Sequence, residues 1–388
     1  MKRVKRRSDL ALFGGSPAFD PAIHVGRPNI GDRQAFDRLV REALDRRWLT
    51  NDGPLVRELE RRIGEQLGVE HCVAVCNGTI GLEILFHALG LAGEVLVPSY
   101  TFIATAHALL RCGIKPIFVD IDPATHNIDP KAARARASSR TSGIVAVHLW
   151  GRPVPVRELQ DLAGELGVPL VFDAAHAFGC TFEGRSIGNF GAAEVLSFHA
   201  TKFFNTLEGG AVVTNDAALA RELRLLRNFG FSGYDNTMSL GTNGKMNEVC
   251  AAMGLVNLDA LPAFIGRNRQ IHQQYVEAFA QIPGVNVLRY DENERNNYQY
   301  VVVELDERFP VGRDRVVEAL HAEGILARKY FWPGCHRMMP YREIYPGEGA
   351  HLPVTEAVSE RVLVLPTGTS LPDGAVGLQA DIFRVLSE

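Results

Sequence analysis

The chain has 388 residues, of which 46% are hydrophobic and 22% charged, and this composition is that of a globular protein with a sizeable core. Its formal net charge of -4 excludes bulk attraction to nucleic acid or anionic membranes, so an anionic ligand must be held by a local group of cations. No window approaches the roughly 18 apolar residues of a membrane span, and we expect no membrane partner.

The basic run at residues 2–7 is followed by no apolar segment of signal-peptide length and is expected to fray, which indicates a cytoplasmic protein. Six cysteines are scattered among mostly apolar neighbours, as is typical of buried thiols in a reducing compartment. Cys72 and Cys76 are close in sequence but have no second cysteine pair or histidine pair to complete a zinc site, so we expect no metal.

Short apolar runs alternate with helical patterns up to residue 227, which predicts an α/β domain with a largely parallel sheet. Amphipathic helices are predicted at residues 36–44, 55–63, 156–167 and 217–227. The predicted strands are residues 72–76, 94–98, 116–120, 144–149, 170–173, 195–199 and 210–214.

After residue 246 the pattern is helical for about thirty residues and then changes again. A strand at 298–305, a helix at 313–323 and an extended segment at 325–331 predict a smaller α+β domain. We therefore expect residues 1–260 to form a large domain with an N-terminal arm, and residues 261–388 to form a small C-terminal domain.

The segment Ser197-Phe198-His199-Ala200-Thr201-Lys202 leaves an apolar strand and leads to Glu208-Gly209-Gly210-Ala211. Burial lowers the pKa of a lysine, and a neutral amine is what attacks an aldehyde to give a Schiff base. Lys202 is therefore a candidate nucleophile. A loop lysine that extends into solvent accounts for this motif equally well when the motif is taken alone.

The segment Val171-Phe172-Asp173-Ala174-Ala175-His176 is an apolar strand that ends in a carboxylate. Such a carboxylate lies at the carboxyl edge of the sheet, where ligands of open α/β sheets bind. A carboxylate there can keep the ring nitrogen of a pyridoxal cofactor protonated, so that the ring acts as an electron sink. An aspartate that caps the next helix is a common alternative.

Two further segments lie earlier in the chain. The turn Asn77-Gly78-Thr79-Ile80-Gly81 offers free N–H groups to a phosphate, although it matches neither the dinucleotide fingerprint nor the P-loop. In Pro98-Ser99-Tyr100-Thr101-Phe102, the ring of Phe102 either stacks on a flat cofactor or belongs to the core. A phosphate-binding turn, an aromatic ring, an aspartate and a lysine follow one another in this order along the chain. Together they favour a pyridoxal cofactor site, which none of them indicates alone.

The sequence resembles the DegT family of sugar aminotransferases, a branch of the aspartate aminotransferase fold, from about Phe13 to Ser370. The resemblance rests on the four segments above and on Val119-Asp120-Ile121-Asp122-Pro123, Val147-His148-Leu149-Trp150-Gly151 and Gly241-Thr242-Asn243-Gly244-Lys245-Met246. It implies fold type I of the enzymes that depend on pyridoxal 5'-phosphate (PLP), with a large, mainly parallel-sheet domain and a smaller C-terminal α+β domain.

The resemblance also implies a role for each matching residue. Lys202 would form the Schiff base with the cofactor and later move the proton. Asp173 would bind the ring nitrogen, and His176 the ring hydroxyl. Phe102 would stack on the ring. A few members carry histidine in place of the lysine and are sugar dehydratases, so the presence of Lys202 favours transamination.

The cofactor phosphate would be held by Thr79, Ile80 and Ser197, and by Asn243 reaching from the other subunit, which implies a homodimer with shared sites. Many members carry arginine two places after that asparagine, where this chain has Lys245. A lysine offers a diphosphate a point charge and not a bidentate fork.

The segment 328–337, Arg328-Lys329-Tyr330-Phe331-Trp332-Pro333-Gly334-Cys335-His336-Arg337, lies where the family's sugar-binding loop falls and combines cations with aromatic rings. The predicted substrate contacts are Tyr330, His336 and Arg337 of this segment, and Lys245. A solvated edge strand with a core aromatic explains any one of these residues equally well.

The resemblance implies transfer of an amino group from L-glutamate to a nucleotide-linked keto sugar. The best match is dTDP-4-keto-6-deoxy-D-glucose, aminated to dTDP-4-amino-4,6-dideoxy-D-glucose in the biosynthesis of deoxysugars for antibiotics and other secondary metabolites. A 3-keto sugar nucleotide, a carbocyclic ketone, and a non-catalytic regulator with the same fold are the alternatives. An NAD-dependent sugar enzyme would require a glycine fingerprint that the sequence lacks.

Overall fold

A computed structural model describes residues 2–388 as alternating helices and strands. The strands are β1 (Ile23–His24), β2 (His71–Val75), β3 (Glu94–Pro98), β4 (Lys115–Val119), β5 (Thr141–Val147), β6 (Leu170–Asp173), β7 (Thr181–Phe182), β8 (Arg185–Ser186), β9 (Ala193–Ser197), β10 (Gly210–Thr214), β11 (Val285–Val287), β12 (Val301–Leu305), β13 (Ile325–Leu326) and β14 (Val362–Leu365). The helices are α1 (Arg33–Arg46), α2 (Pro54–Leu67), α3 (Gly78–Ala88), α4 (Ile103–Arg111), α5 (Pro130–Arg136), α6 (Val156–Leu166), α7 (Ala217–Arg227), α8 (Glu248–Asp259), α9 (Leu261–Phe279), α10 (Arg313–Ala322), α11 (Tyr341–Ile344), α12 (Pro353–Arg361) and α13 (Ala375–Ser387).

A seven-stranded sheet with the strand order β2-β10-β9-β6-β5-β3-β4 forms the centre of the fold. Strand β10 is antiparallel to both of its neighbours, and the other neighbouring pairs are parallel. All seven strands predicted between residues 72 and 214 lie in this sheet, each within about three residues of its predicted bounds. The predicted α/β class with a mainly parallel sheet is therefore confirmed.

Helices cover both faces of the central sheet, which is why its strands are almost continuously apolar. Alternate residues of β2 show the two faces: Cys72 and Ala74 pack with α2 and α8, whereas Val73 and Val75 pack with α3 and α7. Because both faces are covered, the edge where the parallel strands end is the place left for a ligand.

The C-terminal part forms a three-stranded antiparallel sheet, β11-β12-β14, which packs against α9, α10 and α13. The N-terminal segment joins this part, because Leu10 and Ile23 are buried in the same apolar cluster and β1 pairs with β13. The division into two domains near residue 260 stays a prediction.

The expectation that residues 2–7 fray is wrong. The Lys2 ammonium lies 2.7 Å from the carboxylate of Glu323, whose side chain is fully buried, and Val4 is buried as well. A buried carboxylate requires a cation or several hydrogen-bond donors, and Lys2 supplies the cation.

In residues 2–388, no single helix has both the length and the apolar character to cross a membrane, and only the bent pair α8 and α9 passes that test together, on length and composition alone. The same residues contain no group of three or more histidine, cysteine or acidic side chains that could hold a metal ion.

Asp120, at the end of β4, ties the central sheet to α12. Its buried carboxylate accepts hydrogen bonds from the N–H groups of Val354 and Thr355, at 3.0 and 2.7 Å, and from the Thr355 hydroxyl at 2.8 Å. Asp120→Ala should lower the free energy of unfolding by about 2–4 kcal/mol, because it leaves these donors without a partner. Denaturant unfolding measures the loss.

The exposed Asp37 on α1 provides the matched control, and Asp37→Ala should stay within about 0.5 kcal/mol of the wild type. Equal stabilities of the two variants would contradict the role assigned to Asp120.

Candidate active site

A cavity of about 760 Å³ opens at the edge of the central sheet where β5, β6 and β9 end. Parallel strands bring residues that are distant in sequence to the same edge, where ligands of such sheets bind. Eight predicted site residues line this cavity: Thr79, Ile80, Phe102, Asp173, His176, Ser197, Lys202 and Tyr330.

Lys202 follows β9 on a tight turn, in which its N–H donates to the carbonyl of His199 at 2.8 Å. Burial lowers the pKa of Lys202 to about 8, and the negative charge of Asp173 opposes this shift. An appreciable share of the amine is therefore neutral near pH 8, as nucleophilic attack requires. Because Lys202 lines the cavity, the alternative of a lysine that extends into bulk solvent does not hold.

Asp173 ends β6 and is buried at the same cavity. Its Oδ2 accepts a hydrogen bond from the Thr105 hydroxyl at 2.8 Å, and its Oδ1 accepts one from the N–H of Ala175 at 3.1 Å. Burial raises the pKa of Asp173, and both hydrogen bonds lower it. Thr105 on α4, which sequence reasoning did not single out, thus helps to keep the carboxylate ionised and in place.

His176 accepts a hydrogen bond at Nδ1 from the backbone N–H of Trp150, at 3.3 Å. Burial and the nearby Lys202 charge hold the pKa of His176 well below its usual range, so the ring is neutral. In a neutral imidazole whose Nδ1 accepts, the proton lies on Nε2. Trp150 adopts a positive φ of 62°, and the sequence marked it only as part of the segment 147–151.

The turn between β2 and α3 presents backbone donors to the cavity. The Asn77 side chain accepts a hydrogen bond from the N–H of Ile80 at 2.8 Å, which caps α3. The N–H groups of Gly78 and Thr79 have no partner within the part of the chain that the structure describes. These two donors at the positive end of a helix suit a phosphate. The predicted contact of Ile80 with the phosphate stays a prediction, and its N–H is engaged by the Asn77 side chain.

Gly210 allows β10 to lie directly beside this turn. A Cβ at that position would come within 2.6 Å of the Leu196 carbonyl oxygen and 2.8 Å of the Gly78 nitrogen. Gly210 also pairs with Ser197, the predicted phosphate ligand at the end of β9. Its place in the Glu208-Gly209-Gly210-Ala211 run gave a sequence signal, but the close approach is visible only in the fold.

Phe102 precedes α4, lines the cavity and is 53% exposed. The alternative in which its ring belongs to the core does not hold. An exposed phenylalanine ring leaves a large apolar area in water, and a flat ligand stacked on it would remove that area.

Tyr330 lines the cavity together with Arg328, whose guanidinium carbon lies 4.9 Å from the centre of the Tyr330 ring. Arg328 forms no ion pair within residues 2–388. The sequence placed Arg328 in the predicted sugar-binding segment but not among the predicted contacts. An unpaired arginine in a cavity is suited to a phosphate or a carboxylate.

His336 and Arg337 do not line the cavity. His336 is buried, with Nδ1 2.7 Å from the Ser99 hydroxyl and Nε2 3.2 Å from Glu356. Arg337 lies 2.7 Å from the same Glu356 carboxylate. Both side chains are thus engaged within the chain, and their contact with substrate stays a prediction.

Lys245 pairs with Val75 at the end of β2, Asn243 pairs with Asn228, and neither residue lines the cavity. The carbonyl of Gly244 between them accepts a hydrogen bond from the N–H of Cys76 at 2.7 Å, which fixes this segment next to the phosphate turn. The Lys245 ammonium lies 4.5 Å from the centre of the Phe229 ring. The contacts predicted for Asn243 and Lys245 stay predictions.

The fold and the cavity are those of a PLP-dependent aminotransferase. Residues 31–378 match the DegT/DnrJ/EryC1/StrS aminotransferase family, and the chain belongs to this family of sugar nucleotide aminotransferases.

Three proteins are similar to this chain over almost its whole length. A dTDP-4-amino-4,6-dideoxy-D-glucose transaminase of Escherichia coli is 34% identical over 92% of this chain and 96% of its own length. A GDP-perosamine synthase of Caulobacter vibrioides is 32% identical over 95% of this chain and 97% of its own. The crystal structure of DesI, analysed in the presence of its TDP-sugar product, has 52% identity and a TM-score of 0.93, with 98% of this chain and 96% of that chain covered.

The groups at the cavity fit the cofactor of this family. Gly78 and Thr79 offer donors for the phosphate, Nε2 of His176 a donor for the ring hydroxyl, Asp173 an acceptor for the ring nitrogen, and Phe102 a flat apolar face. When bound, pyridoxal 5'-phosphate supplies a carbonyl that reacts with amines and a ring that delocalises negative charge.

The pKa of Lys202 makes its reaction with aldehydes dependent on pH. Covalent capture of pyridoxal phosphate by the apoprotein should speed up about ten-fold per pH unit below about 8 and level off above it, since only the neutral amine reacts. Stopped-flow absorbance at a series of pH values measures this rate. Asp173→Asn removes the charge that raises this pKa and should move the midpoint to lower pH, whereas a wild-type midpoint near the usual lysine value would contradict the assignment.

The hydrogen bond from Thr105 should contribute to cofactor affinity through Asp173. Thr105→Val keeps the shape of the side chain, removes the hydroxyl, and should weaken pyridoxal phosphate binding by about five- to ten-fold. Thr105→Ser restores a hydroxyl and should recover most of the affinity. Titration of the visible absorbance band gives the dissociation constants, and equal values for the valine variant and the wild type would refute this role.

Proposed function

We propose that the chain transfers an amino group from L-glutamate to dTDP-4-keto-6-deoxy-D-glucose, giving dTDP-4-amino-4,6-dideoxy-D-glucose. The proposal rests above all on one cavity that joins Lys202 to the unpaired cation of Arg328. The names of the similar proteins support the choice of sugar, because the Escherichia coli relative is named for this amino sugar and DesI has a TDP-sugar product.

Lys202 has two tasks in this proposal. Its amine would hold the cofactor between turnovers. Once displaced, it would take up the proton released by the carbon that bears the amino group and deliver it to the carbon on the other side of the shared nitrogen. A pKa near 8 suits both directions of transfer, because neither protonation state is strongly favoured at neutral to mildly basic pH.

Asp173 and His176 are proposed to orient the cofactor ring and set its charge. The ionised carboxylate of Asp173 keeps a proton on the ring nitrogen, and the Nε2–H of His176 donates to the ring hydroxyl. The phosphate is held by the Gly78 and Thr79 donors, together with the side chains of Thr79 and Ser197.

Arg328 and Tyr330 are proposed to bind the substrates in turn. The guanidinium of Arg328 suits the diphosphate of the sugar nucleotide in one half-reaction and the distal carboxylate of glutamate in the other. Tyr330, whose ring centre lies 4.9 Å from this cation, is proposed to contact the sugar.

A homodimer is part of the proposal, with Asn243 and Lys245 acting in the cavity of the other subunit. The loop that precedes them supports a second copy, because its side chains are unusually exposed for apolar residues: Phe229 44%, Tyr234 101%, Met238 70% and Leu240 85%. Such a group of exposed apolar side chains is typical of a protein–protein interface.

We also propose a cytoplasmic location and a role in deoxysugar biosynthesis for antibiotics or other secondary metabolites. All six cysteines are free thiols, which supports a reducing compartment.

A panel of keto sugars tests the proposed substrate. The amino form of the enzyme, prepared with L-glutamate, is incubated with dTDP-linked 4-keto and 3-keto sugars, with GDP-4-keto sugars and with a carbocyclic ketone. Mass spectrometry and NMR identify the products. We expect fastest turnover of dTDP-4-keto-6-deoxy-D-glucose, with the amine at the fourth carbon, since the position of the diphosphate fixes which ring carbon reaches the cofactor.

Lys202→Ala is the control for the panel, and its turnover should fall by at least about a thousand-fold because no other amine takes its place. Turnover of a 3-keto sugar alone would overturn the positional assignment, and turnover of the carbocycle alone would overturn the nucleotide sugar.

A further inference from the structure

Tyr300 lies in the wall of the cavity, immediately before β12, and no role has been assigned to it so far. It is 7% exposed. Its ring centre is 4.7 Å from that of His176 and 5.4 Å from that of Trp150, and it meets both rings edge-on. The phenol is therefore fixed by packing at the end of the cavity where the cofactor ring would lie.

The hydroxyl of Tyr300 differs from those of three other buried tyrosines, Tyr100, Tyr275 and Tyr290. Tyr100, Tyr275 and Tyr290 each donate to a backbone carbonyl, at distances of 2.8, 2.9 and 2.9 to 3.0 Å. No such bond is formed by the Tyr300 hydroxyl within the range 2–388, nor is its oxygen sealed from the cavity. An ordinary core tyrosine would be satisfied inside the protein.

The side chain of Gln299 influences the Tyr300 hydroxyl. The Oε1 of Gln299 accepts the N–H of Phe203 at 3.2 Å, so the amide presents its Nε2 on the opposite side. This Nε2 is buried and has no hydrogen-bond partner in the described chain. Burial raises the pKa of Tyr300, and the neighbouring Gln299 side chain lowers it, in the sense expected of a donor group beside the phenol oxygen. Because the Tyr300 hydroxyl donates to no acceptor in the described chain and its side chain lines the cavity, its proton is free to donate into the cavity.

The order of groups along this wall indicates what the phenol meets. Tyr300 lies between His176 and Tyr330, at ring distances of 4.7 and 6.4 Å, and Arg328 follows at 4.9 Å from Tyr330. Arg328, at one end of this row, is the proposed contact of the substrate diphosphate. His176, at the other end, is the proposed contact of the cofactor ring. An oxygen-rich sugar ring is the part of a nucleotide sugar that fits between them.

We propose that Tyr300 is a specificity-determining residue whose hydroxyl donates a hydrogen bond to a sugar hydroxyl next to the reacting carbon. This inference rests on the proposed function and adds a substrate contact to it. A sugar without that hydroxyl leaves the buried donor unpaired, and this is the physical basis on which such a substrate is rejected.

Tyr300→Phe tests the contact, because it keeps the ring packed against His176 and Trp150 and removes only the hydroxyl. We expect the KM for the nucleotide keto sugar to rise by about ten-fold or more, while the reaction with L-glutamate alone changes less than about two-fold. Calorimetric binding of the aminated sugar product should weaken by a similar factor. Tyr298→Phe, a buried tyrosine two residues away and outside the cavity lining, is the matched control and should behave as the wild type.

Monodeoxy analogues of the sugar identify the partner hydroxyl. In the wild type, one analogue should lose about as much affinity as Tyr300→Phe loses with the full sugar, and in the variant that analogue should lose nothing further. The wild-type series stands on its own even if the variant folds poorly. Equal affinity of the wild type for every analogue would overturn the contact.

Two other outcomes would also decide against the inference. If Tyr300→Phe shifts the visible absorbance of the cofactor or slows the glutamate reaction as much as the sugar reaction, the hydroxyl serves the cofactor. If the variant matches an active wild type in KM and product binding, Tyr300 makes no sugar contact and the proposed function stands. A wild type inactive on every nucleotide sugar would instead overturn the proposed function and the inference together.

Discussion

The opposition between burial and charge at Lys202 and Asp173 governs the rest of the site. Burial drives each group toward its neutral form, lowering the pKa of the amine and raising that of the carboxylate, while the attraction between their charged forms resists both shifts. The amine is left poised near pH 8. Hydrogen bonds from the Thr105 hydroxyl, at 2.8 Å, and from the N–H of Ala175 favour the charged form of the carboxylate against burial. Such a balance exists only in a cavity that the surrounding sheet shields from water.

The topology of the sheet supplies that shielding. Strands β5, β6 and β9 run parallel and end together, so residues from three separate segments share one edge. The antiparallel β10 then has to return beside the phosphate turn, and Gly210 makes this possible because a side chain there would meet the Gly78 nitrogen at 2.8 Å. The phosphate donors and the reactive amine are thus positioned by the same backbone packing.

Patterns that repeat along the chain were predictable from the sequence, and contacts between distant segments were not. The seven central strands and the cavity positions of Asp173 and Lys202 follow from apolar runs and from what stands at their ends. The neutral Nε2–H form of His176 depends on the N–H of Trp150, and a backbone donor carries no signature in the sequence. Whether a polar residue faces the cavity or another side chain depends on tertiary packing, as it does for His336.

The N-terminal segment failed as a prediction for the same reason. A run of basic residues is normally solvated, and its composition gives no hint that Glu323, more than 300 residues later, is buried and needs a cation. Tyr300 shows a second limit of sequence patterns. It stands in an apolar strand pattern, which predicts a core residue, and its ring is buried, but the residue also lines the cavity. Sequence patterns report the average environment of a side chain. They do not show that Lys2 pairs with a buried carboxylate, or that the ring and the hydroxyl of Tyr300 lie in different environments.

In the proposed function, chemistry and recognition come from different parts of the fold. The amine, the carboxylate and the phosphate donors belong to the central sheet and the turns that follow its strands, whereas Tyr300, Tyr330 and Arg328 belong to the C-terminal part. The similar proteins carry names of different nucleotide sugars, dTDP-linked in one case and GDP-linked in another. If the groups on the sheet are common to the reaction, the choice among sugars has to come from the wall that faces them. A change of one hydroxyl on that wall alters which sugar binds without altering the charge balance that sets the reactivity of Lys202, so substrate range can diverge while the reaction is retained.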